Sequence, residues 1–143
     1  MKLDFETLDF EKFEEICNKV LAINKDLIDD EMSLHSISYS YYQGLYIKLK
    51  HQYERNLNEF ESTCSLLRNQ ELLRNKSSGS KATVAYLDNY IKALPEYIEG
   101  KNNLIDIEEK LGYLQTISRS MEHKKDMLVQ ISANRRSESK LYS

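Results

Sequence analysis

A chain of 143 residues has room for one domain, and a net charge of −3 gives no global pull toward nucleic acid or membrane. With 41% hydrophobic and 30% charged residues, the composition suits long helices carrying one apolar stripe and a wide wet surface. Four Gly and one Pro are too few for the turns of a β-rich fold, and no apolar run approaches the roughly 20 residues of a membrane span.

The first helix is expected over 8–29, starting near Asp9 as N-cap with Glu11 in its first turn. Phe10, Phe13, Ile16, Val20, Ile23 and Leu27 recur at helical spacing and form one apolar face. Asp29-Asp30-Glu31 marks a break and then the acidic start of a new helix. That second helix is expected over 33–75, with the stripe Leu34, Tyr41, Leu45, Leu49, Tyr53, Leu57, Phe60, Cys64 and Leu67. Gly44 interrupts it, at a cost of about 1 kcal/mol relative to Ala, and suits a close helix approach or a bend.

The segment 76–81 is the one interior loop signal; Gly79 suits a left-handed backbone there and Ser80 a helix cap. A third helix follows over 82–133, with the stripe Leu87, Tyr90, Leu94, Ile98, Ile105, Leu111, Leu114, Met121, Leu128 and Ile131. Because the apolar phase continues across Pro95, a kink is expected there rather than a break. Residues 134–143 read as a frayed basic tail.

A helix of about 40 residues is about 60 Å long, whereas a compact domain of this size has a radius of gyration of only about 14–15 Å. The expected fold is therefore all-α: an elongated hairpin of two long helices with the N-terminal helix packed along it. Such a hairpin leaves its stripes partly uncovered, so an oligomeric bundle or ring is expected, with Leu111, Leu114, Met121 and Leu128 at the subunit interface.

Little in the sequence speaks of enzyme chemistry. His35, His51 and His123 stand singly and read as surface histidines, without the repeated ligand spacing of a metal site. Ser77-Ser78-Gly79-Ser80-Lys81 lacks the spacing of a phosphate loop. Adjacent carboxylates such as Glu108-Glu109 point about 100° apart on a helix and do not converge on a substrate atom. Neither a cofactor nor a small-molecule substrate is expected. Cys17 and Cys64 form no C-x-x-C and read as small core residues, and the acidic start Met1-Lys2-Leu3-Asp4 is unlike a signal peptide. A soluble protein of a reducing compartment, the cytoplasm, is expected.

Charge is unevenly placed. Residues 1–32 carry four basic against ten acidic side chains, while 33–85 carry seven against four and 117–143 six against three. In an antiparallel hairpin, Lys48, Lys50, His51 and Arg55 come near Arg119, Lys124 and Lys125, and a second basic group, Arg68, Arg74, Lys76 and Lys81, surrounds the turn. Cations beside Tyr39, Tyr42 and Tyr46 are the ingredients of a single-strand surface, although tyrosines at helical spacing equally suit a core or interface.

One family likeness draws several of these features together. A Leu34-His35-Ser36 start leads into a Tyr-rich helix that turns basic and ends at Lys76-Ser77-Ser78-Gly79. Tyr86-Leu87-Asp88 then opens a long helical segment that closes with Ile117-Ser118-Arg119-Ser120 and Lys124-Lys125-Asp126-Met127. This layout resembles the UvsY family of T-even-like phages, over about residues 30–136. The chain departs from the family before the turn, where Arg68-Asn69-Gln70-Glu71-Leu72-Leu73 replaces the family's paired tyrosines.

The resemblance implies a recombination mediator: a ring-like homo-oligomer that binds single-stranded DNA in the host bacterial cytoplasm. Such a protein takes the strand from a single-strand-binding protein and loads a RecA-like recombinase onto it, without hydrolysing nucleotide. Arg68, Arg74, Lys76 and Lys81 are the first DNA contacts it implies, Arg119, Lys124 and Lys125 the second, and Lys48 and Lys50 join them through the charge pattern. The residues themselves leave open a helical structural or interaction protein, such as a phage assembly factor, an adaptor or an inhibitor of a host protein.

Overall fold

The computed structural model describes residues 3–142; Met1 and Lys2, and Ser143 of the expected tail, lie outside them. The protein is all-α, with no strand among the described residues. Its helices are α1 (Phe10–Val20), α2 (Ile28–Ser77), α3 (Val84–Lys92) and α4 (Pro95–Tyr142), with 3-10 turns at Phe5–Thr7 and Lys25–Leu27. The chain divides into two compact units, Met1–Lys48 with Lys110–Ser143, and Leu49–Glu109.

In the first unit, Asp9 caps α1 by accepting from Lys12 N at 2.8 Å, as its position before the apolar face requires. The helix ends at Val20, well short of the expected 29, because Asn24 starts a separate 3-10 turn by accepting from Asp26 N. Leu8, Ile16, Ile28, Leu114, Ile117, Met121 and Leu128 form the core of this unit, each at most 7% exposed. Fully burying one such side chain contributes about 1.5–3 kcal/mol. Phe13 stacks on Tyr113 with ring centres 4.9 Å apart. The long helices are antiparallel here: Glu31 pairs with Lys124, and further along α2 Tyr39 bonds Glu122.

In the second unit Leu49, Leu87, Ile91 and Leu104 are buried. Tyr53 donates to Glu108 at 2.6 Å, and Phe60 packs on Tyr97, so the helices are antiparallel here as well. A Cβ on Gly100 would lie 2.6 Å from the Phe60 ring. Gly100 is therefore the site of close approach, whereas Gly44 has nothing within 4 Å of that position.

The expected kink at Pro95 is instead a break. Pro95 has no N–H, and inside a helix its ring would press on the carbonyl four residues back. The chain closes α3 at Lys92 and restarts with Pro95 as the first residue of α4, where a missing N–H costs nothing. The Leu94 carbonyl accepts from Tyr97 N and Ile98 N and so begins the new helix. The expected frayed tail is likewise corrected, since α4 continues to Tyr142 and Arg135 donates to the Lys25 carbonyl.

Candidate nucleic-acid interface

The turn after α2 is built from local backbone chemistry. Ser78 N bonds Arg74 O, Gly79 N bonds Lys76 O, and Ser80 N bonds Asn75 O. Gly79 supplies the left-handed step, with φ at 79°, that lets the chain leave the helix. The cap of α3 is Thr83 rather than Ser80: its Oγ1 accepts from Tyr86 N at 3.1 Å.

Beside this turn lies a polar cluster around Glu71, a carboxylate only 2% exposed. Its Oε2 accepts from Arg74 Nε at 2.8 Å. Its Oε1 accepts from Arg74 Nη2 at 2.5 Å, Asn75 Nδ2 at 3.0 Å and the Tyr86 hydroxyl at 2.7 Å. The Arg74 hydrogen bonds above all, with help from Tyr86 and Asn75, hold the Glu71 carboxyl down to about 2. Glu71 in turn raises Arg74 further above its already high value.

Above the cluster, Arg74 lies 6.0 Å from the Tyr90 ring centre, and Tyr86 stacks with Tyr90 at 6.3 Å. Tyr86 remains 41% exposed. Lys76, at the end of α2, and Lys81, in the turn, are exposed, and neither forms an ion pair with a described residue.

The other expected contacts separate into available and committed groups. Lys48, Lys50, Arg119 and Lys125 are exposed. Arg68 is half-buried and paired with Asp88, a pair open enough to contribute only about 0–1 kcal/mol. Lys124 is a correction: it is 8% exposed and faces inward. Its Nζ pairs with Glu31 at 2.8 Å and donates to the Val20 and Ala22 carbonyls at 2.8 and 3.0 Å. It stitches the end of α1 to α4 and has no donor to offer a strand.

Three of the four expected interface residues are corrected in the same way. Leu114, Met121 and Leu128 are at most 1% exposed inside the first unit, and Leu111 is half-buried. The chain's own N-terminal segment meets α4 next to that stripe, through Phe13 on Tyr113 and the Val20 and Ala22 carbonyls on Lys124.

Tyr39 likewise serves the interior of this unit, donating to Glu122, accepting from Gln43 and stacking on His35. Tyr42 is half-buried against Tyr41.

Besides Lys124, the burial of Glu71, His35 and Ser118 escaped the sequence reading. Glu71 continues the stripe Phe60, Cys64, Leu67 at the next helical step, and a charge on an apolar stripe is a signal of a buried pair. His35, read as a surface residue, is 8% exposed with its Nδ1 unpartnered, and the buried positions Ile28, His35 and Leu49 lie one or two heptads apart. Among the described residues no group of three or more His, Cys, Asp or Glu could hold a metal ion, and no helix is long and apolar enough to cross a membrane. Compared with family models, curated proteins and solved structures, the chain matches none of them.

Proposed function

We propose that the protein binds single-stranded DNA at the turn between α2 and α3 and acts as a non-enzymatic recombination mediator. In this role it works as a homo-oligomer that receives the strand from a single-strand-binding protein and presents it to a RecA-like recombinase. The strand-binding reading is carried by what the turn holds: exposed Lys76 and Lys81 flank it in sequence, and the stacked Tyr86–Tyr90 pair, with Tyr86 41% exposed, follows on α3. Cations neutralise phosphates without regard to sequence, and a base stacked on an aromatic face gains about 1–3 kcal/mol. The mediator role rests on the resemblance in sequence. A homo-oligomer would turn several such modest sites into avidity along one strand.

The test is fluorescence anisotropy of a labelled single-stranded oligonucleotide, titrated at low and at moderate salt. Binding is expected to weaken steeply with salt. Lys76→Glu with Lys81→Glu should weaken it at least tenfold while helicity is unchanged. A flat titration at low salt refutes the proposal.

A second reading is favoured by a groove of about 620 Å³ in the first unit, lined by Ile16, Val20, Ile37 and Tyr41, with exposed Leu34 close by in sequence on α2. A helical interaction protein would dock a protein partner there and leave the oligonucleotide unbound.

A further inference from the structure

We infer that Glu71 is a built-in competitor of the strand, one that keeps Arg74 from acting as a phosphate contact and so limits the affinity of this turn. The inference deepens the strand-binding reading above and rests on it. Arg74 exposes 70% of its side chain, so by exposure alone it is an accessible cation near the turn. Yet two of its three nitrogens are committed to Glu71, in a forked arrangement that also fixes the plane of the guanidinium.

The carboxylate cannot follow Arg74 outward. Asn75 and Tyr86 hold Oε1 from two other directions, and at 2% exposure Glu71 has almost no water to replace a departing cation. A phosphate that drew Arg74 away would leave a buried, unpaired charge, which is strongly unfavourable. A phosphate that instead met Arg74 in place would meet a cation already neutralised by its partner. Either way the turn presents Lys76 and Lys81 as its effective charges, and Arg74 serves to fix Glu71 and, through it, the Tyr86 hydroxyl.

Glu71→Gln tests this. The amide oxygen can still accept from Tyr86, but the charge that holds Arg74 is gone. In the oligonucleotide titration, E71Q is expected to bind about three- to tenfold tighter at low salt. Its log–log salt slope should steepen by about 0.7, the value for one added phosphate contact on a single strand. The double variant E71Q/R74Q should return to within about twofold of the native chain. Glu99→Gln, at an exposed residue of α4, makes the same change in net charge and should leave binding unaltered.

Equal or weaker binding by a helical E71Q overturns the inference, as does an equal gain from E99Q. If E71Q alone folds poorly, the double variant decides: a tenfold loss there shows that Arg74 was a contact all along. Native binding that E71Q leaves unchanged refutes only the role of Glu71, whereas no binding by either chain at low salt refutes strand binding at the turn and this inference with it.

Discussion

Replacing Lys124 by Met keeps the length of the side chain and removes its charge and its donors. Three acceptors then lose the ammonium: the Glu31 carboxylate, which keeps only the Asn24 N–H at 3.4 Å, and the carbonyls of Val20 and Ala22. Breaking a fully buried ion pair from one side costs about 3–5 kcal/mol, and a hydrogen bond to a charged group is worth about 1.5–3 kcal/mol. Glu31 is 23% exposed and Ala22 is at the surface, so water recovers part of this. The expected loss is about 2–4 kcal/mol. At an unfolding entropy of roughly 2.1 cal/mol/K per residue, that lowers Tm by about 7–13 °C for a chain of this length. Urea unfolding followed by circular dichroism measures it. The double variant Glu31→Gln with Lys124→Met should regain about 1 kcal/mol or more, because no carboxylate is left unpaired. Oligonucleotide binding by folded K124M should stay within about twofold of native. A loss below about 1 kcal/mol, or a double variant no better than K124M, would show that Lys124 is not the fastening described here.

Burial, with Lys124 and Lys125 on α4, lowers the His35 pKa from its ordinary 6.5, and Glu31 opposes them only in part. A depressed pKa favours the neutral ring, so its contribution is complete above the unfolded value of about 6.5 and is lost as pH falls through the folded one. Urea midpoints should therefore drop between about pH 7.5 and about pH 5, and His35→Phe should flatten that drop; an unaltered pH profile in H35F would contradict the assignment. The two helical glycines should respond oppositely to alanine: Gly44→Ala stabilises by about 0.5–1 kcal/mol through helix propensity. Gly100→Ala meets the Phe60 ring, and about 1–3 kcal/mol of overpacking outweighs the same gain. Adding Phe60→Leu to G100A should restore stability, and an equal stabilisation by both alanines would refute the close approach.

The helix content was legible because it rests on local chemistry. Asp9 before an apolar face, Gly79 after a basic helix end and the acidic residues opening α2 each act within one helical turn. What depended on which face turns inward was harder to read. Around Tyr39 and Tyr41 many neighbouring residues are apolar or aromatic, so more than one phase fits the helical period. The expected stripe passed through Leu34 and Tyr41 to Leu49; Leu49 is buried as expected, but ahead of it the buried positions are Ile28 and His35, which leaves Leu34 62% exposed. The same one-residue ambiguity at Leu104 and Ile105 buries the first and exposes the second. Pattern reading weighs hydrophobicity, while packing also rewards a polar group that finds partners inside, so Lys124 was placed on the wet side and the burial of Glu71 was not foreseen; His35 was read as a surface residue through the same reliance on hydrophobicity.

The basic residues show why counting charges locates a candidate nucleic-acid surface only coarsely. Their positions along the helices were visible in sequence, but their availability depends on long-range and short-range partners together. Lys124 is held by residues 93 to 104 positions away, Arg68 by Asp88 across the turn, and Arg74 by Glu71 within its own helix. Only the last of these was open to a sequence argument, through the i, i+3 spacing that brings side chains together on a helix. Removing Lys124 from the expected set leaves fewer cations, but the turn keeps exposed Lys76 and Lys81 in a segment that leads into two stacked rings. A single-strand surface needs that combination more than it needs a high total charge, because phosphates supply the attraction while bases require a face to rest on. In a chain of net charge −3, affinity would then depend on the placement of Lys76, Lys81, Tyr86 and Tyr90, and its salt dependence should be that of a few contacts per subunit.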